Sequence, residues 1–318
     1  MGVTTKPIVI VAGPTASGKS ALALRLAEDF GGTIINADSM QVYEGIEIIT
    51  SQPDADARER RPHRLYGVLD PADPCSTARW RDLARAEIAR TEEAGRLPIL
   101  VGGTGLYLRT LMSGIADLPP IADEARSKAR RRHADLGGAA FRIELATLDR
   151  ESAERLHASD TQRLIRAYEV AVGTGTSLSE WQRRANADGA ASDLAAFTIV
   201  LDPPREGLRT TIATRLAAMV KAGAVDEVRA LMARQLPDDR PAMKALGVRE
   251  FAAHLAGLSS LDEAIAATAI ATAQYAKRQS TWFRHQTEPD ILLNAKFSES
   301  AYPELTSKVS KFLLTAKD

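Results

Sequence analysis

The chain has 318 residues, enough for two domains or for one domain carrying a large insert. Its 41 basic and 41 acidic residues cancel, so no whole-molecule charge draws it to nucleic acid and any RNA must be held by a local basic surface. Cys75 is the sole cysteine, which excludes an internal disulfide or a cysteine metal cluster, and no apolar run reaches the roughly 18 residues of a membrane span.

Met1 to Pro7 carries one lysine and leads directly into the apolar residues 8–12, a run too short for a signal peptide. The chain is therefore expected in the cytoplasm, with Cys75 a reduced thiol. Residues 8–12 read as a parallel strand buried on both faces. Residues 13–19 are loop, and 20–30 form a helix stopped by Gly31-Gly32. Residues 33–37 are a second strand that ends at Asp38, and 65–69 are a candidate third. A helix over 77–94 stops at Gly95, and a strand over 97–101 ends in Gly102-Gly103-Thr104-Gly105. Strands alternating with helices predict an α/β fold, a parallel sheet flanked by helices.

The pattern changes near Gly114. Leu118-Pro119-Pro120 breaks the chain, and residues 123–184 have helical periodicity without a strand. The alanine-rich stretch 185–196 reads as a surface loop or frayed helix. Residues 197–201 restore a strand, followed by Asp202-Pro203-Pro204. The expected organisation is a discontinuous P-loop core, 1–114 and 195–318, around an all-helical insert at 115–194. After Pro204 the chain is mostly helical, with one long helix over 261–283 closed by Glu288-Pro289-Asp290 and a charged helix at the C-terminal end.

Gly13-Pro14-Thr15-Ala16-Ser17-Gly18-Lys19-Ser20 fits G-x-x-x-x-G-K-[ST] at every fixed position, with a strand before it and a helix after. The glycines let backbone N–H groups turn toward phosphate oxygens. Lys19 supplies a point charge, the Ser20 hydroxyl can ligate Mg²⁺, and the helix points its positive end at the anion. The motif specifies a polyphosphate or a diphosphate. It fits a nucleotide such as ATP and equally the diphosphate leaving group of another substrate.

Asp38-Ser39-Met40-Gln41-Val42-Tyr43 follows the second strand, at the edge where α/β sheets bind ligands. Asp38 reads either as a general base or as a helix N-cap. Gly102-Gly103-Thr104-Gly105-Leu106-Tyr107 brings backbone amides and a hydroxyl to the same rim, or is simply a strand-to-helix turn. His63, His133, His157, His254 and His285 show no metal-ligand spacing.

Four blocks, in order, carry a resemblance. They are residues 13–20, residues 38–43, residues 102–107, and Tyr275-Ala276-Lys277-Arg278-Gln279 with Thr281-Trp282-Phe283-Arg284. A fifth is Ser152-Ala153-Glu154-Arg155-Leu156-His157 with Asp160-Thr161-Gln162-Arg163-Leu164-Ile165-Arg166-Ala167. Together they make the chain, from about Ile8 to Phe283, resemble the bacterial tRNA dimethylallyltransferases, also called tRNA isopentenyltransferases.

That resemblance implies transfer of a dimethylallyl group from dimethylallyl diphosphate to N6 of adenosine 37, in tRNAs that read codons starting with U. It implies that Asp38 takes a proton from the amine and that Thr104 contacts the reacting diphosphate end. Gly13, Pro14, Thr15, Ala16, Ser17, Gly18, Lys19 and Ser20 would hold the diphosphate with Mg²⁺, helped by Arg215. Asp38, Ser39, Met40, Gln41, Arg126, Gln162, Arg163, Leu164, Ile165, Arg166, Arg249, Gln274, Lys277 and Arg278 match positions that contact the tRNA anticodon stem-loop, and the protein is expected as a monomer. Three positions depart from the family's pattern. Thr211 stands where the first of two arginines four apart is usual, Ala217 where an aspartate is common, and Val248 where a tyrosine is usual.

Gln274, Lys277, Arg278 and Thr281 fall at i, i+3, i+4 and i+7, one polar face of the long helix. Alone they read as a solvated face, as do Arg126, Lys128, Arg130, Arg131 and Arg132; the resemblance turns both toward RNA. The competing readings are an adenylate prenyltransferase acting on free AMP, ADP or ATP, a P-loop small-molecule kinase, and an RNA-binding protein without activity. The helical insert favours tRNA, the absence of an arginine-rich lid argues against a kinase, and Asp38, Lys19 and Thr104 argue against an inactive binder.

Overall fold

A computed structural model describes residues 5–116, 118–187 and 193–316. The chain forms two compact units, Met1–Met112 with Ser192–Asp318, and Ser113–Ala191.

The first half of the larger unit contains β1 (Lys6–Ala12), α1 (Lys19–Asp29), β2 (Thr33–Asn36), α2 (Ala55–Arg60), β3 (His63–Arg64), α3 (Thr77–Glu93), β4 (Pro98–Gly102) and α4 (Gly105–Ser113). The smaller unit holds α5 (Asp123–Leu148), α6 (Arg150–Arg155), α7 (Thr161–Thr174) and α8 (Leu178–Ala187). The larger unit resumes with β5 (Leu194–Leu201), α9 (Arg205–Lys221), α10 (Ala224–Ala233), α11 (Val248–Leu255), α12 (Leu261–Gln286), β6 (Ile291–Leu293) and α13 (Tyr302–Thr315).

The six strands pair in the order β3-β2-β4-β1-β5-β6, every pair parallel. β1 is central, and period-two alternation explains why it is apolar throughout. Ile8, Ile10 and Ala12 enter one core with Trp80 of α3, Leu216 of α9, Phe251 of α11 and Phe283 of α12. Val9 and Val11 enter the other, with Leu22 and Leu26 of α1 and Leu305 and Val309 of α13. Because all strands run the same way, the residues that follow β1, β2, β4 and β5 emerge along one edge of the sheet.

Several boundaries differ from the sequence reading. The third strand is His63–Arg64, paired with Ile34 and Ile35, and not 65–69. Leu65 adopts a left-handed φ of 62° that turns the chain out of the ladder. Its carbonyl then accepts a hydrogen bond from Asn36 Nδ2 at 3.0 Å. The apolar character of 65–69 serves packing instead, since Leu65, Tyr66 and Leu69 are buried. Within 185–196, residues 185–187 end α8 and 194–196 open β5, which pairs with β1 from Lys6 onward; residues 188–192 lie outside the described residues. β6 was not foreseen. It has three residues, and Asp290 just before it accepts the Thr198 N–H at 2.7 Å. α13 contributes Tyr302, Leu305 and Val309 to the core and is more than a charged tail.

The helical unit packs Phe141 and Leu145 of α5 against Leu164 and Tyr168 of α7. Gly137, at φ 70°, kinks α5. Asp149 caps α6, accepting from Ser152 N at 3.0 Å, and also accepts from Ser179 N at 3.1 Å and Ser179 Oγ at 2.7 Å. Burial pushes its pKa up, but these hydrogen bonds outweigh it and hold the carboxyl below its usual value. Asp149→Ala strips these donors of their acceptor and is expected to destabilise the helical unit by about 3 kcal/mol in urea denaturation. In the native protein that contribution is present above about pH 4 and is lost as pH falls through the lowered folded value.

Candidate functional site

The loop from Gly13 to Ser20 leaves the end of the central strand. Gly13 has φ 147°, and a Cβ there would lie 2.3 Å from the Leu201 carbonyl oxygen, so the loop can sit this close to β5 only as glycine. Ala16 and Gly18 take left-handed φ values of 68° and 91°. α1 then begins at Lys19 with no side chain capping it, so its first N–H groups are free for an anion. Ser20 is exposed on the first turn, while Ser17 is buried with its hydroxyl unpaired among the described residues.

Two cations converge on this loop. Lys19 Nζ donates to the Pro14 carbonyl at 3.2 Å, and Arg215 Nη2, from α9, donates to Thr15 Oγ1 at 2.8 Å. Burial lowers the Lys19 pKa to about 8, with the Asp38 charge opposing that shift and Arg215 adding to it. Burial lowers Arg215 as well, again opposed by Asp38. Two desolvated cations facing one carboxylate leave the crevice short of negative charge, which is what an anion site requires. Thr211, one helical turn before Arg215 on α9, donates its hydroxyl to the Gly207 carbonyl at 3.0 Å.

Asp38 follows β2 and is held by backbone and side-chain contacts. Its N–H donates to Asn36 Oδ1 at 2.8 Å, and Asn36 Nδ2 donates to the Asp38 carbonyl at 3.0 Å. Asp38 Oδ1 accepts the Met40 N–H at 2.9 Å. No helix starts here, so the N-cap alternative does not hold: the carboxylate closes a turn of three residues. Burial, with the Asp38 charge contributing, pushes the phenols of Tyr66 and Tyr275 far up, so both stay protonated.

Strand order places Thr104 between the two. β4 lies between β2 and β1, so the turn after it stands between Asp38 and the phosphate loop. Thr104 Oγ1 accepts the Ser39 N–H at 3.0 Å and lies 3.3 Å from Ser39 Oγ, while Thr104 N donates to the Ala37 carbonyl at 3.2 Å. Gly102 permits that approach, since a Cβ there would sit 2.0 Å from the Ala37 oxygen. Gln279, on the inner face of α12, accepts from Thr15 N at 2.8 Å and donates to the Gly103 carbonyl at 2.9 Å. The sequence reading gave it no role of its own. The available signal was a glutamine in the stripe Ala276, Gln279, Phe283, which the helix buries.

The remaining positions divide by exposure. Gln41 is half-buried, and its amide donates to the carbonyls of Thr50 and Ser51 at 2.8 and 2.9 Å. Ser39 is half-buried, and Met40 packs against the core. Arg249 is exposed on α11. Gln274, Lys277, Arg278 and Thr281 are exposed on α12 and line a groove of about 380 Å³. Val248 is buried. In the helical unit, Arg126, Gln162 and Arg163 are exposed and Ile165 and Arg166 half-buried. Arg126 and Arg163 pair with Asp123 and Asp160 at 3.2 and 3.0 Å, exposed contacts that a polyanion can displace at little cost, whereas Arg166 lies 3.5 Å from Glu169, whose side chain is buried. Leu164 is a correction: its side chain is fully buried in the helical core and is not presented to RNA.

The fold and the Gly13–Ser20 loop define a P-loop α/β protein. The family model for IPP transferase matches residues 41–286, and that for isopentenyl transferase matches residues 6–68. A tRNA dimethylallyltransferase of Paramagnetospirillum magneticum is 50% identical over 313 residues, 98% of this chain and 99% of that protein. Among solved structures, a tRNA isopentenylpyrophosphate transferase from Bacillus halodurans superposes with a TM-score of 0.69 at 30% identity, covering 98% of each chain. A eukaryotic dimethylallyltransferase acting on tRNA gives 0.78 at 25% identity, over 99% of this chain and 81% of that one. The chain belongs to the tRNA dimethylallyltransferase family.

Because the free Lys19 ammonium titrates near 8, affinity for inorganic diphosphate is expected to fall as pH rises through that value. A bound anion raises the lysine pKa, so binding takes up a proton above it. Calorimetry across this range checks the sign, and an affinity that does not change with pH would remove Lys19 from the anion site.

Proposed function

We propose that this protein transfers a dimethylallyl group from dimethylallyl diphosphate to N6 of adenosine 37, in tRNAs that read codons starting with U, and releases diphosphate. The observation that carries this reading is one crevice holding an anion cradle, Lys19 with Arg215, and across Thr104 from it the Asp38 carboxylate.

The backbone N–H groups at the start of α1, from Gly18 to Ser20, and the charges of Lys19 and Arg215 hold the donor's diphosphate. They stabilise the negative charge that grows as the allylic C–O bond breaks, and being fixed they do so without reorganisation. The Thr104 hydroxyl reaches the reacting end of the donor. The exocyclic amine of adenine is a weak nucleophile, so it must be placed against the allylic carbon. As the new C–N bond forms, Asp38 accepts the proton the amine gives up.

Ser20, exposed on the first turn of α1 beside Lys19, is the residue that would hold Mg²⁺ through its hydroxyl. Bound there, Mg²⁺ would supply positive charge to the diphosphate. Adenosine 37 must leave its stack to reach the crevice. Ser39, Met40, Gln41, Arg126, Gln162, Arg163, Ile165, Arg166, Arg249, Gln274, Lys277 and Arg278 are assigned to the tRNA. The protein works in the cytoplasm as a monomer. No helix among the described residues is long and apolar enough to cross a membrane, in keeping with a soluble RNA substrate.

The test is to incubate the protein with Mg²⁺, dimethylallyl diphosphate and unmodified tRNA, with AMP and ATP as parallel acceptors, and to read the products by mass spectrometry. Prenylated adenosine in tRNA alone supports the proposal. Prenylated AMP moves the protein to the free-nucleotide transferases, and no product with any acceptor reopens the kinase and inactive-binder readings.

Two substitutions separate chemistry from binding. Asp38→Ala is expected to lower the transfer rate by on the order of 100-fold to 10,000-fold while leaving tRNA affinity nearly intact. Parallel loss of affinity would sink the assignment of Asp38 as the base. Reversing the charges of Lys277 and Arg278 should weaken tRNA binding and flatten its salt dependence, by about one unit of slope per cation removed. An unchanged slope takes α12 off the RNA surface.

A further inference from the structure

Gln279 lies in a stretch whose neighbours Lys277 and Arg278 face solvent, yet it is only 4% exposed. Both ends of its amide are engaged, and each end is specified by its partner. The Thr15 N–H needs an acceptor, supplied by Oε1 at 2.8 Å, and the Gly103 carbonyl needs a donor, supplied by Nε2 at 2.9 Å. The partners lie on different loops, 264 and 176 positions away in sequence.

Those loops are the two halves of the site. Thr15 belongs to the phosphate loop, and its hydroxyl accepts the hydrogen bond from Arg215. Gly103 precedes Thr104, whose hydroxyl accepts the Ser39 N–H next to Asp38. A continuous path therefore runs from Arg215 through Thr15, Gln279, Gly103 and Thr104 to the Asp38 turn. The chain keeps room for it, since a Cβ on Gly103 would lie 2.0 Å from Gln279 Nε2.

We propose that Gln279 is a positioning residue that sets the separation between the donor's diphosphate loop and the Thr104–Asp38 side of the crevice, acting through Thr15 and Gly103 and touching neither substrate. This inference rests on the transferase reading given above. It makes the amide's direction matter, one end accepting and the other donating. Gln279→Glu keeps the shape but, when ionised, has no proton for the Gly103 carbonyl. Protonated, the introduced carboxyl can donate to Gly103 and accept from Thr15, as the native amide does. Gln279→Met fills similar space and offers neither a strong acceptor nor a donor.

The experiment compares native protein, Gln279→Glu and Gln279→Met in single-turnover transfer with saturating tRNA, dimethylallyl diphosphate and Mg²⁺. Thermal melting and tRNA affinity are measured on each. At neutral pH both variants are expected to be slower by on the order of 100-fold, the scale of a misplacement of about 1 Å, with tRNA affinity unchanged. The ratio of the Gln279→Glu rate to the native rate should rise as pH is lowered from about 8 to about 5.5, since protonation restores the donor, while Gln279→Met shows no recovery. Taking the ratio cancels the pH effects common to all three proteins.

Lowered melting temperatures with native rates at every pH would overturn the inference, because Gln279 would then serve folding alone. Slow variants without the acid recovery would overturn it as well. Native transfer with unaffected variants defeats the inference and leaves the transferase reading standing, whereas no product from any of the three overturns both.

Discussion

Lys19 and Arg215 are held largely out of water with one carboxylate, Asp38, to oppose them. That imbalance governs the crevice. Each cation is less stable there than in solvent, as the lowered pKa of each records. In the proposed reaction a diphosphate would supply the missing negative charge, turning the unfavourable burial in the free protein into donor affinity and then into stabilisation of the leaving group. Thr211, one helical turn before Arg215 on α9, turns its hydroxyl to the Gly207 carbonyl and adds no charge.

The rest of the larger unit holds that arrangement in place. A parallel sheet sends its loops to one edge, and the order β2-β4-β1 puts Thr104 between Asp38 and the phosphate loop. Glycines allow the close approaches, at Gly13 against Leu201, at Gly102 against Ala37 and at Gly103 against Gln279. α9 contributes Arg215, and α12 contributes Gln279 on its inner face while presenting Gln274, Lys277 and Arg278 outward. One helix thus braces the phosphate loop on one side and carries an exposed polar face, the one proposed for RNA, on the other.

The elements that could be read from the sequence were those with a local cause. The apolar run into Gly13, the helix from Lys19 and the strand ending at Asp38 each carry their signal within a few residues. Where the cause was not local, the reading missed. His63–Arg64 became the third strand because Leu65 turns left-handed, and three residues of β6 are too short to show a period. Leu164 sits inside a block that otherwise matches tRNA contacts, but the helix turns it inward. Gln279 stands within the Tyr275–Gln279 block, yet its partners lie more than a hundred positions away, and no window on the sequence contains them.

The account stands on the donor's diphosphate and the acceptor amine meeting from opposite sides of Thr104. A crystal structure with an anticodon stem-loop RNA, Mg²⁺ and a non-reacting analogue of dimethylallyl diphosphate measures this directly. The account predicts the diphosphate on the N–H groups of Gly18 to Ser20 with Lys19 and Arg215, and the extruded adenine's N6 within hydrogen-bond reach of Asp38. A diphosphate bound elsewhere, or an adenine that stays stacked in the RNA away from Asp38, would contradict it.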